Sequence, residues 1–161
     1  MNKIAKTLNT NQFEDIINAI RNGFVDDKYS ITKPNDRVAT ALVLSANTGI
    51  PMMDIVKLKL ENFVEDEYGY LIYTDGKKYA ASKKVYEFLE NYAKDNGLNS
   101  KNKLFDLSTR AIQNHLRKTC NYLGFGEGVT TESFKRMFSD RIYGAGCKPN
   151  VYKKFYIMIN E

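Results

Sequence analysis

Apolar residues recur at helical spacing along nearly the whole chain, and the period changes once, between residues 59 and 82. A chain patterned this way is confined to helices around one small sheet, because a 3.6-residue period and a 2-residue period bury different faces. Phe13, Ile16, Ile17 and Ile20 share one helical face behind a capping-box pair, Asn11 and Glu14, and Gly23 closes the segment. Pro34 opens a second helix with Val38, Leu42, Val43 and Ala46 inward, and Thr48-Gly49 ends it. Pro51 then suits the first turn of a short helix, MMDIVKLK, with Ile55 and Leu58 inward. The exceptional stretch, LENFVEDEYGYLIYTDGKKYAAS, sets aromatic and β-branched residues around Tyr68-Gly69 and Asp75-Gly76. Asp-Gly between extended segments signals a hairpin, so two or three short antiparallel strands are expected there. Helical spacing returns with Val85, Phe88, Leu89 and Tyr92, then Ile112, Leu116 and Leu123, then Phe134, Phe138 and Ile142. Pro149 is expected to open a last short helix carrying Val151, Phe155 and Met158. The reading is a mainly α domain with a small antiparallel β-hairpin sheet over residues 10–161, preceded by a flexible arm at 1–9.

With 161 residues, 43% of them hydrophobic, the chain can bury one core. Its 24 basic and 19 acidic residues leave a net charge of +5, which suits an anionic partner without demanding one. No apolar run approaches the roughly 18 residues of a membrane helix, and the opening MNKIAKTLNTNQF has no apolar leader. A cytoplasmic protein is expected. Cys120 and Cys147 sit in no CxxC or Cys/His cluster and read as reduced packing thiols. His115 is the sole histidine, which excludes a multi-histidine metal site and any mechanism needing two imidazoles; neither metal nor cofactor is expected.

The chemistry concentrates in a few places. Wound as a helix, STRAIQNHLRKTCNYL (108–123) puts Ile112, Leu116 and Leu123 on one side and Arg110, Gln113, Asn114, Arg117 and Lys118 on another. Those polar types are the ones that read base edges and phosphates; the same pattern also describes an ordinary solvated face. Lys77 and Lys78 follow the Asp75-Gly76 turn, with Lys83 and Lys84 close behind. They form either a positive finger able to enter a groove or the lysine guard of a sheet edge. GFGEG at 124–128 follows a helix and lacks a Gly-Lys-Ser/Thr ending, so it reads as a loop and not a phosphate cradle. Glu132 suits the positive start of a helix on which Lys135, Arg136 and Arg141 either extend the basic surface or are solvated.

In order along the chain, four stretches resemble the catalytic domain of the tyrosine recombinase, or phage integrase, family. NTNQFEDIINAI is similar to its opening helix. RVATALVLSANTGIPMMDIVKLKLENFVED resembles its apolar helix, Thr-Gly-Leu-Arg corner, carboxylate-bearing short helix and Asp-containing strand. KNKLFDLSTRAIQNHLRKTCNYLGF is similar to its Leu-Phe element and the helix laid on DNA, and VTTESFKRMFSDRIYGAG to the helix of its His-x-x-Arg motif. The resemblance implies that Pro51 stands at the first catalytic arginine, Glu132 at the histidine and Lys135 at the second arginine, while Lys77 or Lys78 keeps the hairpin lysine. It also implies that 10–161 lacks the segment carrying the nucleophile; a displaced Tyr152 or Tyr156 would have no phosphate clamp to work with.

These readings converge on a double-stranded DNA-binding protein on an inactivated recombinase fold, with Lys77, Lys78, Arg110, Gln113, Asn114, Arg117, Lys118, Lys135 and Arg136 as its contacts. A phage or mobile-element repressor is the leading role. An accessory recombination factor working through a second copy of the chain or a recombinase or regulatory partner, and a residual recombinase, are the alternatives.

Overall fold

The computed structural model describes residues 5–144, with side chains through Arg141. Helix α1 (Thr10–Asn22) is amphipathic, burying Phe13, Ile16, Ile17 and Ile20. Its capping box is made by Asn9 and Gln12, not by Asn11 and Glu14: Asn9 Oδ1 accepts from the Gln12 N–H at 2.8 Å and Gln12 Oε1 from the Asn9 N–H at 3.0 Å. Asn9 is the residue with extended backbone, which the cap position requires, whereas Asn11 lies inside the helix. A short hairpin follows, β1 (Phe24–Val25) and β2 (Ile31–Thr32), in a stretch where the sequence pattern marks no element. Two-residue strands are too short to leave a period; buried Phe24, stacked on Tyr122 at 4.3 Å, anchors this one.

Helix α2 (Asp36–Thr48) is buried on every side from Val38 to Thr48 and forms the axis of the domain. Asn35, not Pro34, caps it, accepting from the Val38 N–H at 3.1 Å. Asn35 takes the cap because it offers the side-chain acceptor that Pro34, one residue earlier, lacks. The polar residues at its C-terminal end are matched locally. Ser45 Oγ donates to Ile50 O at 2.8 Å, Thr48 Oγ1 to Leu44 O at 2.7 Å and Asn47 Nδ2 to Val43 O at 2.8 Å. α1 and α6 pack on α2, and α5 packs on α1.

Pro51 is the N-cap of α3 (Met52–Ile55), which is shorter than MMDIVKLK because the chain leaves helix at Val56. Three antiparallel strands then form in order: β3 (Phe63–Glu65), β4 (Tyr70–Thr74) and β5 (Lys77–Ala81). Thr74 pairs with Lys77, so Asp75-Gly76 is a two-residue turn, with both residues at positive φ as that turn demands. Central Ile72 is fully buried, and β5 meets α2. α4 (Lys83–Asp95) is capped by Ser82 and buries Val85, Leu89 and Tyr92, while Phe88 stays partly buried. α5 (Thr109–Leu123) and α6 (Thr131–Gly144) complete the described chain.

Residues 5–9 are not a free arm. The Lys6 N–H donates to Gly128 O at 2.9 Å and Leu8 is buried. Buried Cys120 is a free thiol whose pKa burial pushes up to about 11. The helix expected after Pro149, together with Cys147, Tyr152 and Tyr156, lies outside the described residues.

Gly49 ends α2 in the left-handed region (φ 74°), and a Cβ built there would lie 2.6 Å from Phe138 of α6. Gly49→Ala is therefore expected to cost about 1–2 kcal/mol for the backbone conformation alone, lowering Tm by roughly 2–8 °C in thermal unfolding. An unchanged Tm would mean that α2 and α6 do not need this close approach.

Candidate nucleic-acid interface

Ser108 caps α5, its Oγ accepting from the Ala111 N–H at 3.0 Å, and Gly124 stops the helix in the left-handed region. Ile112, Leu116, Thr119 and Cys120 face inward. That burial fixes the rotation of the helix and leaves Arg110, Asn114, Arg117, Lys118 and Asn121 exposed along the opposite arc. Arg117 Nη2 donates to Asn114 Oδ1 at 3.0 Å, so the guanidinium and the amide act as one oriented pair.

Other expected contacts have internal duties. Gln113 is half-buried at the edge of the arc, and its Oε1 accepts from the Thr131 N–H at 3.1 Å, satisfying an orphan donor at the start of α6. Arg136 is half-buried and donates through Nη1 to Ala5 O at 2.8 Å, tying the N-terminal segment down instead of extending the basic surface. Gln113, Arg117, Cys120, Asn121, Glu127 and Glu132 line one cleft of about 490 Å³ between α5 and the start of α6. Lys118, on the same arc, lines a neighbouring cleft of about 300 Å³ with Asp26, Asp27 and Lys28.

The hairpin is fastened rather than free. Asp54 on α3 is 1% exposed, and its Oδ2 accepts from Lys77 Nζ at 3.1 Å and from the Tyr79 hydroxyl at 2.8 Å. A buried carboxylate requires such donors, since an unpaired buried charge is strongly destabilising. Burial, then the hydrogen bond to Asp54, pushes the Tyr79 phenol up to about 12. Across the turn, Lys57 Nζ meets Asp75 Oδ2 at 2.6 Å. Their hydrogen bond raises the Lys57 pKa and lowers that of Asp75, though both are well exposed and solvent screens the pair. Lys78 remains exposed on the hairpin. Tyr79 has no role in the sequence reading, and the signal for it was its place two residues after Lys77 on a strand, which puts both on one face.

Pro51, Glu132 and Lys135, the positions that the family resemblance singles out, are all described. Pro51 is half-buried at the α2–α3 corner, Glu132 is exposed in the first turn of α6, and Glu132 Oε1 lies 3.3 Å from Lys135 Nζ. The ammonium of Lys135 is thus already balanced by the neighbouring carboxylate. Among the described residues, no group of three or more His, Cys, Asp or Glu could hold a metal ion, and no helix is long and apolar enough to cross a membrane.

No family model and no curated protein matches the chain. Among solved structures, the fold matches that of the Tn1549 transposon integrase (residues 82–397), solved in complex with circular intermediate DNA. The TM-score is 0.65 and the identity 15%; the match covers 98% of this chain and 58% of that one, so this chain spans less than two thirds of that structure. The mainly α, recombinase-like fold read from the sequence is therefore the fold observed.

His115 on α5 is half-buried and its Nε2 has no hydrogen-bond partner among the described residues. Burial, with Lys118 adding, lowers its pKa from the ordinary value. The folded chain takes up this proton less readily than the unfolded chain. The stabilisation is therefore fully present above the unfolded pKa of about 6.5 and is lost as pH falls below it. In urea unfolding at about pH 7.5 and about pH 5, His115→Gln should lose less stability on acidification than the parent. Equal losses would show that His115 carries no proton-linked stability.

Proposed function

We propose that the chain binds double-stranded DNA, reads base edges with α5 and leaves the strands uncut, acting as a transcriptional repressor of the kind a phage or mobile element encodes. The observation that carries this reading is the exposed arc of α5. Arg110, Asn114, Arg117 and Lys118 stand along a helix whose other face is fixed in the core, and Asn114 orients Arg117 in advance. A rigid helix bearing oriented Arg and Asn groups suits the major groove, where Arg pairs with guanine edges and Asn with adenine. The likeness to an integrase solved on DNA supports the same partner.

Loss of strand cleavage is inferred from the phosphate pocket. Stabilising a pentavalent phosphorane needs preorganised positive donors, and removing one such donor typically costs about 10²–10³ in rate. Proline at 51 offers no side-chain donor. Glu132 brings an anion, and Lys135, paired to it, is a point charge where a bidentate fork would clamp phosphate.

Arg117→Ala is expected to relax sequence preference at a cost of about 1–3 kcal/mol per lost base contact, and Asn114→Ala to behave similarly while releasing Arg117. Lys118→Ala should instead weaken all duplexes alike and flatten the salt dependence. Binding curves on specific and random duplexes over a salt series check this. Equal behaviour of the three variants and the parent would remove α5 as the reader, and a covalent adduct on a suicide substrate would remove the claim that the strands stay uncut.

A further inference from the structure

Four lysines from two segments distant in the sequence line one ledge, and the hairpin carrying Lys77 and Lys78 lies beside it. The Leu104 N–H donates to Leu58 O at 2.9 Å and the Glu61 N–H to Ser100 O at 3.1 Å, which lays segments 57–61 and 100–104 side by side. Leu58 and Leu104 are both buried in the core. Lys57, Lys101 and Lys103 are exposed at the surface of the same two segments, with Lys59 half-buried between them. Lys57 reaches Asp75 at the hairpin turn, so the start of β5, where Lys77 and Lys78 follow the turn on alternate faces, lies beside the ledge.

The nearby acids are largely engaged. Asp75 is taken by Lys57, and buried Asp54 by Lys77 and Tyr79. No ion pair involves Lys59, Lys78, Lys101 or Lys103 among the described residues. The acids lining the two clefts that hold Lys59 and Lys103, apart from the engaged Asp75, are Glu61 and Asp106. The ledge therefore keeps a local positive excess. From Leu104 the chain runs straight into Ser108, the cap of α5, with Arg110 in the first turn, so the ledge adjoins the base-reading helix.

We infer that this ledge is a second contact surface, along which the phosphate backbone of the same duplex lies beyond the bases that α5 reads; the inference rests on the DNA-binding reading. Lysine suits the task. A mobile ammonium carries charge without the fixed fork of arginine, so it neutralises a backbone without reading its sequence. The ledge lengthens the footprint on one side and steepens the salt dependence beyond what α5 provides.

The test uses the full chain and the double variant Lys101→Ala/Lys103→Ala, whose side chains are exposed and make no ion pair among the described residues. Affinity should fall alike on specific and random duplexes, and the slope of log K against log salt should drop by about 1.8, roughly 0.9 for each lost phosphate contact. Phosphate protection in a footprint should shorten at one end. Charge reversal at the same two positions should weaken binding further. If parent and double variant share slope and footprint, the ledge is solvated surface and is withdrawn, while the α5 reading stands. A loss confined to the specific duplex would overturn it too, since backbone contacts carry no sequence. Failure of the parent itself to bind duplex at low salt would remove the DNA reading, and the ledge with it.

Discussion

Burial of α2 from Val38 to Thr48 is the constraint on which the other elements depend. A helix that is mainly apolar on every side has to be enclosed, and here α1, α3, α6 and strand β5 surround it. The cost of enclosing its polar residues is met within two turns of chain, where Ser45, Asn47 and Thr48 donate to backbone carbonyls. Those same bonds shape the sharp corner at Gly49 and Pro51. The corner in turn sets where α3 places Asp54, and Asp54 decides where the hairpin rests.

This chain of dependence gives the hairpin a different character from the free positive finger that its lysines suggest. A carboxylate with almost no solvent exposure draws Lys77 and Tyr79 onto itself, and the Lys57–Asp75 pair holds the turn from the other side. The hairpin thereby becomes part of a continuous surface with segments 57–61 and 100–104. Charge that looks redundant along the sequence is divided in space: part of it balances buried and surface acids, and part of it stays available to an anionic partner.

The polar face of α5 is divided in a similar way. Gln113 at its edge braces the start of α6, and Arg136 across the interface holds Ala5, so two groups chosen for their chemistry have structural partners. Asn114 and Arg117 remain outward and coupled. Pro51 and Glu132 also have local structural accounts. Pro51 is pre-set for a helix start, and Glu132 lies near the positive end of α6 while pairing with Lys135.

The sequence by itself determined the element types, because hydrophobic period and turn chemistry are local: the faces of α1, α4 and α5, the Asp75-Gly76 turn and the stop at Gly49 can all be read in windows of a few residues. It misplaced the caps of α1 and α2 by one or two positions, since several neighbouring residues could cap and packing chose among them. It missed the β1–β2 hairpin, whose two-residue strands leave no period and whose Phe24 stacks on Tyr122, nearly a hundred residues on in the chain. Only the tertiary structure decided which polar groups are available. Gln113 and Asn114 are adjacent amides, and Lys77 and Lys78 adjacent ammoniums, alike in every local property. Their partners, Thr131 for Gln113 and Asp54 for Lys77, come from segments distant in the chain. A hydrogen bond depends on distance in space, which a one-dimensional pattern does not contain.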